Sequence, residues 1–381
     1  MLRSCIAFAW LNLARGDRVR LAVAIGGATV AIFIVLIHVA FLRAVERKAT
    51  QVYALFDADV VMVSDRYQFL YRMGEFPAAR LRQALSVPGV ADAAAVRVSA
   101  SRWRATDNGA QSSLLLIGID PNRDFIADPH LKQAAAALGA PRRALFDANA
   151  DPEVERVHVG TSGRIGQQPA LVVGMYEMGL PMYAAATAIV SNGDFSLYSG
   201  DDPQRIQLGL LKLAPRAKVS DVLPVLAKAL PEDVRVMTRD ALMAAEANYF
   251  VEVKPLGIIV RTGLVIGLIV GAVALFQVMS AQIEARMRDF AVLRATGFSA
   301  RYTYAIGAAQ LVIIGAASFA LAWIAVWPVF IVVAAKSHLS LPLDLWLLGA
   351  GLALAIPMVA SAAVPLARTA HVDPAKLFTR V

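Results

Sequence analysis

The sequence predicts a membrane protein with four transmembrane helices and a mixed α+β domain between the first and second helices. Its 381 residues are 58% hydrophobic and only 17% charged, whereas soluble proteins carry about a quarter charged residues. The apolar residues are concentrated in four runs, and one long polar stretch separates the first run from the second. This uneven distribution indicates membrane spans together with one large domain outside the bilayer.

Each apolar run is long enough to cross a hydrocarbon core of about 30 Å, which needs about 20 helical residues. The predicted spans are residues 19–42, 256–280, 302–335 and 345–367. The large domain then comprises residues 43–255, and residues 336–344 form a short loop between the last two spans. Pro328 predicts a kink or a tilt in the third span. A cleaved signal peptide is disfavoured, because the first apolar run is too long for one.

Positive charges near the ends of the spans predict their orientation. They gather before the first span, between the second and third spans, and after the fourth: Arg3, Arg15, Arg18, Arg20, Arg286, Arg288, Arg294, Arg301, Arg368, Lys376 and Arg380. The 336–344 loop carries only Lys336. Both termini, the 281–301 loop and the 368–381 tail are therefore predicted to be cytoplasmic, with the large domain on the opposite side. The net charge of +8 is explained by these loops rather than by nucleic-acid binding.

Residues 1–18 predict a helix that lies in the cytoplasmic interface, in contact with membrane lipids. Its apolar face comprises Leu2, Ile6, Ala9 and Leu13. Trp10 lies beside this face and suits the headgroup depth. The alternative is an extension of the first span, which Gly16 and Asp17 argue against.

The large domain is predicted to have two lobes of strands and helices, one from each half of the segment. Strands are predicted at residues 59–63, 96–103, 113–119, 156–159, 170–176, 187–191 and 234–237, and helices at 78–85 and 221–230. Residues 128–150 are rich in alanine, proline and arginine, which predicts a helix and loop insertion.

The sequence contains no signature of a catalytic, cofactor or metal site. It has no GxxxxGK[ST], HExxH, CxxC or GxSxG, and its five histidines are scattered. Its single cysteine, Cys5, excludes disulfides and a cysteine zinc site within the chain. We therefore predict a protein that is not an enzyme, with no catalytic residues, no cofactor and no metal.

Few charged side chains fall deep in the membrane. Arg261 is near the outer end of the second span, and Gln277 and Gln310 are neutral. His38 in the first span is either a functional group or a neutral histidine near the interface. The absence of charge near the midplane argues against an ion-coupled carrier.

The second span carries glycine at four-residue spacing. The three positions are Gly263, Gly267 and Gly271. Small residues at this interval let two helices approach closely, either within one chain or between two.

The 281–301 loop has the pattern of a short amphipathic helix. Phe290, Leu293 and Phe298 offer large apolar side chains. Charge is offered by Glu284, Arg288, Asp289 and Arg294, and Gly297 suits the end of a helix. Such a helix either docks into a groove on a partner protein or lies on the membrane surface. We predict docking, with Glu284, Arg288, Phe290, Leu293, Arg294, Gly297 and Phe298 as the coupling residues.

This loop resembles the cytoplasmic element of FtsX/MacB-type permeases of ABC transporters. The likeness rests on Glu284 followed by residues 293–298, Leu-Arg-Ala-Thr-Gly-Phe, and on the tail at 372–378, Val-Asp-Pro-Ala-Lys-Leu-Phe. Residues 172–179 and 229–238 are most similar to DevC-like permeases. The layout of one span, a large domain and three further spans is also similar.

The resemblance implies the permease subunit of an ABC exporter that works by mechanotransmission in the bacterial inner membrane. A separate ABC ATPase subunit would dock on the 281–301 loop and bind the ATP. A second permease chain, in a homodimer, would pair through the spans. A periplasmic membrane-fusion adaptor and an outer-membrane factor would act with the periplasmic domain.

Three other functions fit the same features. One is an FtsX-like regulator that activates a periplasmic cell-wall hydrolase, and another is a lipoprotein-releasing permease. The third is a membrane-anchored sensor, which lacks a cytoplasmic output domain because the largest predicted cytoplasmic loop is only residues 281–301.

Overall fold

A computed structural model of the chain describes residues 18–106, 111–151, 154, 157–179, 181–337, 341 and 343–370. Residues 1–17 of the predicted interfacial helix and residues 371–381 of the predicted tail lie outside these residues. Contacts between Cα atoms divide the chain into two units. We call Met1–Ala44 with Pro255–Val381 the membrane unit, and Val45–Lys254 the inter-span domain.

Helix α1 runs without interruption over Arg18–Ala54. At 1.5 Å per residue its 37 residues measure about 55 Å, far more than a bilayer core requires. The helix therefore continues beyond residue 42, the predicted end of the first span. The reason is an amphipathic continuation in which Val45, Ala49, Val52 and Tyr53 are buried at helical spacing.

The inter-span domain follows with eleven strands and five helices among its described residues. They are β1 (Val60–Ser64), β2 (Phe76–Pro77), α2 (Ala79–Leu85), β3 (Val90–Ala105), β4 (Gln111–Ile119), α3 (Pro129–Ala135), β5 (Arg143–Asp147), β6 (Ser162–Ile165), β7 (Gln168–Tyr176), β8 (Ala186–Ser191), α4 (Asn192–Ser199), β9 (Arg205–Ile206), β10 (Leu208–Leu213), α5 (Val219–Ala229), β11 (Val234–Thr238) and α6 (Arg239–Asn248). A 3₁₀ turn, Ala136–Gly139, follows α3, and a π-helical turn, Tyr249–Val253, follows α6.

One lobe is a four-stranded antiparallel sheet with the strand order β11-β1-β10-β3. The chain order β1-α2-β3-β10-α5-β11 makes it a ferredoxin-like split βαβ lobe. Helices α2 and α5 contribute Ala84, Val222 and Leu226 to a core that also contains Met62 and Leu211 from the sheet.

The second lobe is a closed barrel of six strands. The order continues β3-β4-β8-β5-β7-β6, and β6 pairs again with β3. Trp103 and Phe146 fill the interior, with ring centroids 5.2 Å apart. Gly163 is required beside them, because a Cβ there would lie 2.3 Å from the Trp103 ring. The two predicted lobes are present, and the long strand β3 belongs to both of them.

Two sequence-based assignments in the barrel are wrong. Strand β5, Arg143–Asp147, lies between β7 and β8, although residues 128–150 were expected to form an insertion. Its five residues are too few for a clear alternating pattern. The strand expected at 156–159 is absent from the described residues 157–159, which form coil and turn.

The membrane unit continues with α7 (Pro255–Ala285), α8 (Met287–Ala295), α9 (Ala300–Ser337) and α10 (Leu345–Ala370). Four helices among the described residues are long and apolar enough to cross a membrane: Leu21–Ala54, Pro255–Ala285, Ala300–Ala334 and Leu345–Ala367. Helix α9 continues through Pro328 to Ser337. The predicted fold class, four spans with a mixed α+β domain between the first and second, is confirmed.

Candidate functional site

The loop between the second and third spans is a compact helical element, residues 286–299, which we call the α8 loop. Arg286 has φ −113° and ψ 13°, outside the helical range, and so separates α8 from α7. Gly297 ends α8 with a left-handed φ of +97°. Phe298 N donates to Leu293 O at 3.1 Å and Gly297 N to Arg294 O at 3.1 Å, the two bonds of a Schellman motif. The loop is therefore a defined turn between two helices.

Phe290 attaches α8 to the membrane unit itself. It is only 3% exposed and packs in a cluster with Ile306 of α9, while Leu293 is half-buried beside them. The expectation that Phe290 is an exposed knob for a partner is therefore wrong. An amphipathic helix buries its apolar stripe on whatever apolar surface is nearest, and α9 supplies that surface here.

A second face of α8 is exposed. Val292 is 49% exposed and lies one turn after Arg288, which is also exposed. Phe298 is 44% exposed and stacks on Tyr302, with ring centroids 4.8 Å apart. Among the other predicted residues, Glu284 is exposed and Arg294 is half-buried. Sequence reasoning missed Val292, although its position two residues from Phe290 places it on the opposite side of the helix.

The three glycines of α7 lie at helix contacts within this chain. A Cβ on Gly263 would lie 2.3 Å from His38 Nε2 of α1. A Cβ on Gly267 would lie 3.2 Å from Ile34, and one on Gly271 would lie 2.1 Å from Met358 of α10. A side chain at Gly263 would therefore clash with the His38 ring, and one at Gly271 would require Met358 to change its side-chain conformation. His38 Nδ1 is 2.8 Å from Ile34 O, one turn earlier in α1.

In the inter-span domain, the C-terminal end of α1 is bound to α6 through one buried carboxylate, Glu246. This residue is fully buried and accepts hydrogen bonds from the Tyr53 hydroxyl at 3.2 Å and from the Tyr67 hydroxyl. Leu70 N donates to both carboxylate oxygens, at 2.9 Å and 3.1 Å. Burial raises the pKa of Glu246 above its usual range, and the three donors offset part of that rise.

A second buried carboxylate, Asp147, organises the neighbouring loop. It accepts from Gly179 N at 2.9 Å, Met178 N at 3.2 Å and the Thr187 hydroxyl at 3.3 Å. Burial raises the pKa of Asp147. Gly179 O in turn accepts from Gln51 Nε2 of α1 at 3.2 Å. The last turns of α1 are thus fixed to the domain at Gln51 and at Tyr53.

The chemistry of these sites is hydrogen bonding and apolar contact. Within the ranges that the structure describes, no three His, Cys, Asp or Glu residues are grouped so that they could hold a metal ion. The two buried carboxylates are each surrounded by hydrogen-bond donors from the protein, which suits a structural role.

Solved structures and one family model are similar to parts of this chain. The periplasmic region of MacB from Actinobacillus actinomycetemcomitans is similar at 10% identity and a TM-score of 0.35, covering 51% of this chain and 95% of that one. The extracellular domain of the noncanonic ABC-type transporter YknZ from Gram-positive bacteria is similar at 13% identity and a TM-score of 0.33, covering 47% and 98%. No curated protein matches the chain. Residues 261–374, which include the α8 loop, match the family model described as the FtsX-like permease C-terminal domain.

Proposed function

We propose that this chain is the permease subunit of an ABC-type exporter that works by mechanotransmission. A separate ATPase subunit docks on the α8 loop, and its ATP-driven motion passes through the spans to the inter-span domain. The main support is that the FtsX-like permease match at 261–374 contains a short helix that is packed on one side and exposed on the other.

The two faces of α8 suit this role. Phe290 fixes the helix to α9 on one side, so that a force applied to α8 moves α9 with little loss. Val292 and Phe298 offer exposed apolar contact on the other side, with Arg288 beside them. Small interfaces obtain most of their binding energy from a few apolar anchors of this kind. We therefore assign the docking contact to Val292 and Phe298, with Glu284, Arg288 and Arg294 at its margin.

Rigid elements extend from the loop through the membrane unit. The close approach of α7 to α1 at Gly263 and Gly267 leaves little space for sliding between these helices. Helix α1 is continuous to Ala54, where Glu246 and Gly179 hold its side chains. A tilt of α1 is therefore passed to the residues of the domain that bind its outer end.

The proposal includes partners and a location. The inter-span domain is periplasmic, both termini are cytoplasmic, and the chain is in a bacterial inner membrane. A second copy of the permease completes a dimer, and a periplasmic adaptor and an outer-membrane factor receive the substrate. The arginine and lysine asymmetry of the loops supports this orientation.

Thiol labelling tests the orientation on which the proposal depends. In a Cys5→Ser background, Arg216→Cys should react with a membrane-impermeant maleimide added to intact spheroplasts, because Arg216 is exposed in the inter-span domain. Ser299→Cys, exposed in the α8 loop, should react only after the membrane is permeabilised. Labelling of Ser299→Cys from outside would place α8 on the side without ATP and remove the proposed docking contact.

A further inference from the structure

Three arginines lie together on the outer surface of the barrel. Arg102 and Arg104 alternate with the buried Trp103 on β3, and both are exposed. Arg164 on β6 is exposed and is the direct cross-strand partner of Arg104. We call these three residues the arginine face.

The geometry of the arginine face follows from the sheet. Arg102 and Arg104 are two residues apart on one strand, which separates their Cα atoms by about 6.7 Å. Arg104 and Arg164 are directly opposite each other, with their Cβ atoms about 5 Å apart. Like charges in that position destabilise a sheet. Repulsion between these arginines therefore lowers the stability of the isolated domain, and an anionic partner would relieve that repulsion.

No carboxylate of the described residues neutralises these cations. The ion pairs in the described part of the chain involve other basic side chains. Arg164 donates to Gln167 O, and Arg104 faces the Gln111 side-chain amide across the strand pair. Neutral acceptors thus hold two of the guanidinium groups in place and leave further N–H donors for a partner.

The neighbouring outward positions are small or polar. Ser113 is opposite Arg102 on β4, and Ser162 precedes Arg164 by two residues on β6; both are exposed. Short side chains around the three arginines leave the guanidinium groups accessible from the outside. Both edges of this part of β3 are already paired, with β4 and β6, so that a partner cannot add a strand here.

We propose that the arginine face binds an extended, acidic segment of a protein partner through side-chain contacts alone. Carboxylates at alternate positions of an extended chain also repeat at about 6.7 Å, which matches Arg102 and Arg104. The planar guanidinium forms two parallel hydrogen bonds to a carboxylate, which favours arginine over lysine in this role. This inference goes beyond the proposed coupling function, because it concerns the surface of the domain and not the α8 loop.

Peptide binding to the full chain in neutral-lipid nanodiscs tests the proposal. The probe is a fluorescent peptide in which glutamate alternates with threonine, and its counterpart carries lysine in place of glutamate. The combined variant R102Q/R104Q/R164Q should bind the acidic peptide at least about tenfold more weakly than the unaltered chain, since three charge pairs are lost. The affinity of the unaltered chain should fall as salt is raised, and that of the variant should change little.

A second combined variant controls for net charge. R66Q/R82Q/R216Q removes three exposed arginines that are scattered over the inter-span domain and should leave binding nearly unchanged. Equal weakening by the two combined variants would show general attraction and overturn the proposal, as would failure of the unaltered chain to bind the acidic peptide. Displacement of the peptide by a small excess of inorganic pyrophosphate would indicate a phosphate site and also overturn it.

Discussion

Replacing Glu246 with alanine is expected to lower the unfolding free energy of the inter-span domain by about 3 kcal/mol or more. The substitution removes the acceptor of the Leu70 N–H and of the Tyr53 and Tyr67 hydroxyls. One hydroxyl can still donate to the other, 3.1 Å away, so two buried donors lose their partner. Each unsatisfied buried donor costs about 1–3 kcal/mol, and the cavity adds to that cost. Pulse proteolysis of the full chain across a urea series would measure the change.

Glu232→Ala is the matched control, because Glu232 is an exposed glutamate of the same domain. It should remain within about 0.5 kcal/mol of the unaltered chain. If Glu246→Ala is no less stable than Glu232→Ala, the Glu246 network does not hold α1 to the domain, and that step of the transmission path fails.

The raised pKa of Glu246 predicts how the unfolding free energy changes with pH. Burial raises the pKa of Glu246 in the folded protein, and Asp147 is shifted in the same direction. The folded state therefore binds these protons more tightly than the unfolded state. Their contribution to the unfolding free energy is fully present below the pKa of about 4 that these groups have in the unfolded chain. It is lost as the pH rises through their pKa in the folded protein.

Glu246→Gln separates the Glu246 contribution from that of Asp147. The amide resembles the protonated carboxyl in shape and keeps an acceptor for Leu70 N, so the fold should be retained. The unfolding free energy of this variant should fall less with rising pH than that of the unaltered chain. If the unfolding free energy of the variant changes with pH as steeply as that of the unaltered chain, Glu246 has the same pKa in the folded and unfolded states.

The second large effect concerns the exposed face of α8. Val292→Asp and Phe298→Ala should each weaken binding of the ATPase subunit by about thirtyfold, because loss of a central anchor costs about 2 kcal/mol. Arg288→Ala should weaken binding less, and its effect should shrink at high salt. Titration of the purified ATPase subunit against the permease in nanodiscs would measure these affinities.

Two variants separate direct contact from loss of structure. Phe290→Ala should reduce protection of α8 from hydrogen exchange, since it removes the ring that is buried against Ile306. Val292→Asp should leave that protection intact while it weakens binding. Val225→Asp, at another exposed helical valine in the inter-span domain, should affect neither. Full ATPase binding by Val292→Asp and Phe298→Ala together would favour α8 lying on the membrane surface.

Much of the architecture could be predicted from local sequence. The four spans follow from the length of apolar runs, and the strands β1, β4, β7, β8 and β11 follow from short apolar or alternating segments. Gly297 was predictable as a helix end, because glycine readily adopts the left-handed conformation that a Schellman motif requires.

Other features depend on contacts that are distant in sequence. The continuation of α1 beyond residue 42 is visible only once Val45, Ala49 and Val52 have a surface to pack on. The pattern of α8 shows an apolar stripe but does not say that α9 covers it, so Phe290 was assigned to a partner. Glu246 lies four residues after Leu242, on the same face of α6. This spacing was the one indication in the local sequence that Glu246 is buried.

The central claim is that ATP binding by an ATPase subunit docked on the α8 loop moves the inter-span domain. The most direct measurement is the distance between spin labels at Arg216→Cys on the two permease copies, in nanodiscs that also contain the ATPase subunit. A non-hydrolysable ATP analogue should shift the distance distribution in the otherwise unaltered protein, and the shift should disappear in the Val292→Asp/Phe298→Ala background. An absence of any shift with the ATPase fully bound, or an equal shift in both proteins, would contradict the mechanism.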